Sequence, residues 1–472
     1  MESGGSGREY AAPDFTGMFV VFVALVVWAP IPLGSNRAWS SALLSVLALS
    51  MLGVWLTSYV RRPFSPRLSI YRPRWIVLLL ASWACYPLVQ LIPLTDGVLE
   101  WLSPGVHGYY GQGASVEGEI ARFLTIDRGA TLWAWVRHSS YVAVFLLVLM
   151  LVTTPARLRT LMTIIVAVGA TQALYGIVVY LGGDHLGLWD PRYSTQAVSG
   201  TYVNPNHFAG LMEITLCAAA GLVVAELSRT STDDTIRHRL LAASDSLLGR
   251  WTLLVFAVLI MCAGLLMSAS RGALVAITTA LLASISLSVW FRGLRAPEAR
   301  LLLGAATVAT VAVLWLGASG LVEKMQARGL HSNRPELREL SYEIIHDNPL
   351  FGTGAGTYRW ILPLYKDERF ETAFYEHAHN DYLELLGEEG IIGFALIATG
   401  VLLVLRRIVI GLARRRDPLM RGALFAAFSG ALSLLIHGLV GFNFQIPANA
   451  TYFFLVLALG LVATELRDEK RE

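Results

Sequence analysis

Two histidines, an amide and two carboxylates stand within eight residues in His377-Ala378-His379-Asn380-Asp381-Tyr382-Leu383-Glu384. Gly387-Glu388-Glu389-Gly390 follows, and an apolar run begins near Ile391. Histidine titrates near neutral pH, so one of the pair is a candidate general base. Asn380 would orient the ring or a substrate hydroxyl, and His377 would touch substrate. Polar clusters at the mouth of a membrane helix are costly to place there without a use. A metal reading, with Glu376 or Asp381 joining the histidines, finds no third ligand fixed by spacing.

Ser270-Arg271-Gly272 puts an arginine between two apolar runs. Its planar fork suits an anionic group such as phosphate; the plainer alternative is a short turn whose arginine snorkels to the headgroups. Asn204-Pro205-Asn206-His207 precedes another apolar run. Asparagine at the cap and proline in the first turn would start a helix there, and a helix N-terminus attracts anions. Arg334 and Arg338 lie in a long polar segment and would either hold phosphate or form a solvated face. Gln445 sits in a short turn between the last two apolar runs, placed to touch substrate or only to connect. Gly352-x-Gly354-x-Gly356 opens no βαβ unit, so a dinucleotide site is excluded and a flexible turn is expected.

The elements that must position these groups are membrane helices. The 472 residues are 55% hydrophobic and 15% charged, whereas soluble chains are about one quarter charged. Apolar runs long enough to cross a bilayer fall at about 15–33, 39–59, 75–94, 132–152, 159–182, 207–226, 251–268, 271–291, 301–321, 386–405, 419–440 and 448–465. The expected fold is therefore all-α and polytopic, with about twelve transmembrane helices. Its parts are a 1–14 tail, helices across 15–321 with an outer loop at 95–131, a large outer loop at 322–385, and 386–472 with the last helices and a tail. Within the large loop, Leu337, Leu340, Ile344 and Ile345 share one side of a helix that Asn348-Pro349 ends. The first apolar run has no basic flank or cleavage site, and is expected to be a membrane helix instead of a signal peptide.

Arginine sets the orientation. Clusters such as Arg61-Arg62, Arg406-Arg407 and Arg414-Arg415-Arg416 fall in alternate connections. The positive-inside tendency then puts both termini in the cytoplasm, and the 322–385 loop is long enough to translocate regardless of charge. His207, Arg271, His377, His379 and Gln445 all fall on the outer face. The net charge of +3 marks topology, not nucleic-acid binding. The three cysteines lie in apolar runs and imply no disulfide framework. No P-loop supports ATP-driven transport. A flippase or permease is the competing class, but a transporter would gather polar groups near the midplane, and here they gather at one face.

Gly200-Thr201-x-x-Asn204-Pro205-Asn206-His207, Ser270-Arg271-Gly272, Pro349-Leu350-x-Gly352-x-Gly354-x-Gly356 and His379-Asn380-x-x-Leu383-x5-Glu389-Gly390 together resemble the bacterial O-antigen ligase and polymerase family over roughly 200–460. The resemblance implies a GT-C-like, metal-independent, inverting membrane glycosyltransferase of the inner membrane, without a cofactor. It would work at the periplasmic face on a glycan carried by undecaprenyl pyrophosphate. The acceptor would be a saccharide: lipid A–core for a ligase, another lipid-linked repeat for a polymerase. His379 would be the catalytic histidine, Arg271 a pyrophosphate contact, and Arg338 the loop arginine. That family carries an arginine just before the segment at 199–201, where this chain has Gln196-Ala197-Val198; Arg192 is the nearest substitute. An acidic residue that often precedes Phe-Asn in the last outer turn is Gly441 here.

Overall fold

A computed structural model describes residues 15–61, 73–112, 121–189, 197–230, 249–292, 334–366 and 374–466. The 1–14 tail, the 301–321 run and Arg192 lie outside these residues. Among the described residues the chain is helical, with no strand; an isolated bridge joins Leu94 to Arg122.

The helices are α1 (Thr16–Trp28), α2 (Ala38–Arg61), α3 (Arg74–Gln90), α4 (Asp96–Leu102), α5 (Pro104–Gln112), α6 (Arg128–Leu151), α7 (Pro155–Gly182) and α8 (Pro205–Thr230). Then follow α9 (Arg250–Met267), α10 (Arg271–Arg292), α11 (Arg334–Asp347), α12 (Tyr358–Tyr365), α13 (Asp381–Arg414), α14 (Pro418–His437) and α15 (Pro447–Glu465). Eight of them, α2, α6, α7, α8, α10, α13, α14 and α15, are long and apolar enough to cross a membrane, and α1, α3 and α9 are shorter apolar helices. These eleven match the expected apolar runs one for one; the twelfth expected run is 301–321. The chain is a polytopic membrane protein.

The core sits around α15, which is buried along nearly its whole length from Pro447 to Ala463. In lipid no hydrophobic force separates helix from solvent, so close packing and small residues hold such helices together. α8 and α14 show this at Gly221 and Gly422, where a Cβ on either would collide with the other's carbonyl oxygen.

α13 is broken at Gly390, whose φ of 63° and ψ of −170° only glycine adopts readily. The break frees carbonyls and amides that cannot be left bare at membrane depth. The 349–354 loop supplies their partners: Thr353 and Gly354 donate to Gly387 and Glu388 at 2.9 Å, and Ile391 donates to Pro349 at 2.9 Å. Gln90 of α3 locks the joint, donating to Phe351 O and Glu388 O and accepting from Ala355 N. The glycine-rich segment expected to be a flexible turn is thus a plug fitted to a broken helix.

Candidate functional site

The four acids in the first turns of α13 each hold a different piece of chain. Asp381 accepts from Phe444 N at 3.2 Å. Glu384 accepts from Ala378 N at 2.8 Å and binds His377 Nδ1 at 2.7 Å. Glu388 accepts from Tyr358 N at 2.9 Å, and Glu389 from Trp83 Nε1 at 2.9 Å. All four are buried. A buried carboxylate is tolerated only when its oxygens are bonded, and here each bond ties a segment to the start of α13.

Asn380 is the cap of that helix. Its Oδ1 accepts from Tyr382 N and Leu383 N, and its Nδ2 donates to Leu439 O at 3.0 Å. The structure therefore spends this side chain on joining α13 to the 438–446 turn. The histidines flank Ala378, which is buried in a small core with Leu337, Leu340 and Ile344 of α11 and Tyr358, Ile361 and Leu362 of α12. Burying the middle residue of His-Ala-His leaves the two imidazoles beside the anchor.

Phe442 is the ring they meet. His377 stacks on it with centroids 4.5 Å apart; His379 and His207 approach edge-on at 4.9 and 4.5 Å. His379 has φ of 52°, a left-handed backbone that costs a non-glycine residue about 1 kcal/mol. Such strain is retained where the surroundings hold it, often at functional positions. Burial opposes a charge on His377, but the adjacent Glu384 carboxylate outweighs it with help from Glu388 and Glu376, and the ring's pKa lies above the usual histidine value.

Asn204 accepts from Asn206 N at 2.8 Å and so starts α8. Asn206 is half-buried and His207 buried, with the His207 carbonyl held by Asn449 Nδ2 at 2.9 Å. Arg271 is the exposed first residue of α10. A Cβ on the next residue, Gly272, would lie 3.0 Å from Val440 and 3.2 Å from the His437 ring. Arg271 and the three histidines therefore border the same 437–446 segment. Gln445 is half-buried in that segment's 3₁₀ turn. Arg338 is on the exposed face of α11, near exposed Tyr342 and opposite the buried leucines. Arg334 begins α11.

Sequence reading missed Phe442 as the shared ring and Glu384 as the partner of His377. Glu213 of α8 reads from the sequence as able to pair with a neighbouring helix, but its partners do not: it binds His437 Nδ1 at 2.6 Å and accepts from Ser433 Oγ at 2.5 Å, a buried trio with α14. Glu384 had a signal, since it stands one turn after the capping Asn380. Glu213 and His437 are 224 positions apart, and no spacing announces them.

Residues 256–398 match the sequence model of a family described as O-antigen ligase. No curated protein matches the chain. The matched stretch includes Arg271, α11, the plug at the helix break and the His-Ala-His-Asn cluster, and over those residues the chain is similar to that family.

Proposed function

We propose that this protein transfers a glycan from undecaprenyl pyrophosphate to a saccharide hydroxyl, with lipid A–core as the acceptor. The observation that carries the reading is the gathering of His377, His379 and His207 around Phe442 at the bundle end where Arg271 opens α10. The family match supports a membrane glycan-transferring function in O-antigen biosynthesis.

In the proposed step His379 takes the proton of the acceptor hydroxyl. The freed oxygen attacks the anomeric carbon, and the bond from that carbon to the diphosphate oxygen breaks. The diphosphate leaves with the electron pair, its charge met by Arg271 with Arg192 or Arg338. Contacts that strengthen as charge develops lower the barrier by several kcal/mol. One displacement inverts the anomeric centre. His377, fixed by Glu384, holds the sugar side of the site. Arginine distribution supports an inner-membrane topology with both termini cytoplasmic and the 322–385 loop and active site periplasmic.

The test has two parts. Purified full-length protein in detergent is given lipid-linked glycan and a lipid A–core acceptor, and the product is resolved by mass; no consumption of donor refutes glycan transfer. A gene deletion then separates acceptors. Loss of long glycan from lipid A–core with lipid-linked polymer retained supports the ligase. Single-repeat products would instead show a polymerase.

A further inference from the structure

We propose that the N-terminus of α10 is a diphosphate site in which His437, held by Glu213, is the second side-chain contact beside Arg271. The identity of the ligand as a diphosphate rests on the transfer reading above; the geometry rests on other residues.

α10 is 22 residues long. Its first intrahelical bond runs from Leu274 N to Ser270 O at 3.2 Å, so the Gly272 and Ala273 amides face out of the helix end. Such an end carries partial positive charge and takes anions. A helix end alone is a weak signal, but two buried polar atoms beside it have no hydrogen-bond partner. One is Ser270 Oγ, on a residue 1% exposed; the other is Asn443 Nδ2, on a residue 0% exposed. Buried donors left unmatched are rare and point to something missing from their surroundings. Asn443 already spends its oxygen on Asn449 Nδ2 at 3.0 Å, so only its donor side remains.

His437 closes the group. Its Nδ1 is committed to Glu213, whose other oxygen is held by Ser433. The opposite edge of the ring lies 3.2 Å from where a side chain of Gly272 would begin, and 3.4 Å from the same point on Gly441. Asn443 Nδ2 also stands 3.4 Å from that point on Gly441. Two glycines thus let an imidazole edge, a carboxamide donor and a helix end approach one spot. Donor groups predominate there: guanidinium, hydroxyl, carboxamide and helix amides, while the His437 carbonyl oxygen, also 3.4 Å from the Gly441 point, already accepts from Val440 N at 3.0 Å. A ligand with several charged acceptor oxygens matches the two unpartnered donors and the helix amides together. Glu213 holds His437 Nδ1 and so fixes the opposite edge of the ring toward that spot. A plain interhelical staple between α8 and α14 would need the Glu213–His437 bond but not the unmatched donors around it.

The test uses full-length protein in detergent, with inorganic pyrophosphate and undecaprenyl pyrophosphate as separate probes in calorimetric titrations. H437Q and E213Q should each weaken binding of both probes about tenfold, the worth of one charge-assisted hydrogen bond. S270A should weaken it severalfold yet melt no lower than the parent, because it deletes an unsatisfied hydroxyl. Since S270A keeps the fold, it decides the matter even if the other variants unfold. Parental affinity in S270A, or in folded H437Q, overturns the site, and a lowered melting point with unchanged affinity identifies the staple. Inorganic pyrophosphate binding as tightly as the lipid assigns the headgroup alone; tighter lipid binding that still falls in H437Q adds a tail contact. A protein that binds pyrophosphate but moves no glycan refutes the transfer reading and leaves this site standing. Transfer that persists alongside unchanged binding in the variants does the reverse.

Discussion

The two ends of the helix bundle use polar residues in opposite ways. At the histidine end α6, α8, α10, α13 and α15 all begin, so helix dipoles point their positive ends there. Asp381, Glu384 and Glu388 at that end are buried, and each is bonded to a separate piece of chain. At the other end helices finish, and arginines cover their last carbonyls. Arg157 donates to Leu151 O at 3.0 Å and to Thr16 Oγ1 at 2.8 Å, and Arg415 donates to Ala463 O at 3.1 Å. A groove of about 650 Å³ opens there between α7, α8 and α9, lined mainly by apolar side chains with Arg159 and Glu226 among them. Space alone therefore does not mark the site. One end pairs and buries its acids around the histidines, and the other lays arginine over helix termini.

Removing His379 should show the largest asymmetry. H379A is expected to lower glycan transfer by at least a factor of about one hundred, the usual worth of a general base, while R159A at the groove stays within about twofold, as expected away from the chemistry. Both are read as product formed per minute from lipid-linked donor. Transfer by H379A at the parental rate would remove that imidazole from the mechanism.

The helix break is the next most sensitive point. Gly390→Ala forces a side chain into a glycine-only conformation and against Leu350 O. A loss on the order of 3 kcal/mol is expected from the backbone strain and collision together, visible as a lower thermal midpoint and faster proteolysis of the 349–357 plug. Gly400→Ala, in the unbroken part of α13, should cost less.

The same helix cap occurs at both ends. Asn380 caps α13 at the histidine end, and Asp417 caps α14 at the arginine end through Leu419 N and Met420 N. Each alanine variant should lose about 1 kcal/mol of stability. Only N380A should also slow transfer, because it frees the 438–446 turn; equal rates in the two variants would erase the contrast between the ends.

The smallest effect concerns pH. His377 has a raised pKa, so its pair with Glu384 contributes stability fully present below the ordinary value of about 6.5. That contribution is lost as pH rises through the higher folded value. Cleavage at Phe374 and Tyr375 by a limiting protease should therefore increase with pH through that value. In E384Q cleavage should already be high at low pH and nearly flat; a parental pH curve in E384Q would refute the pairing.

Much of the candidate site was legible because its parts lie close together in sequence. His377 and His379 stand just before the cap Asn380, and Glu384 one turn after it, so local spacing sets their contacts. Helix α11 was legible from the spacing of Leu337, Leu340 and Ile344, which pack where that spacing puts them. The role of Gly352-x-Gly354-x-Gly356 was not legible, since a plug has meaning only once α13 is seen to break at Gly390. Asn380 shows the same limit: its type suggested chemistry, and its bonds show a cap.

Apolar runs and the placing of arginine settled, without any coordinates, that this chain crosses a membrane many times with its histidines grouped toward one end. Those properties depend on composition counted along the chain, and a bilayer responds to them segment by segment. The Glu213–His437–Ser433 trio, the three imidazoles on Phe442 and the unmatched donors near Gly441 came only from the folded chain. They join helices far apart in sequence, and the register at which two helices meet is decided by close packing such as that of Gly221 against Gly422, which no local pattern encodes.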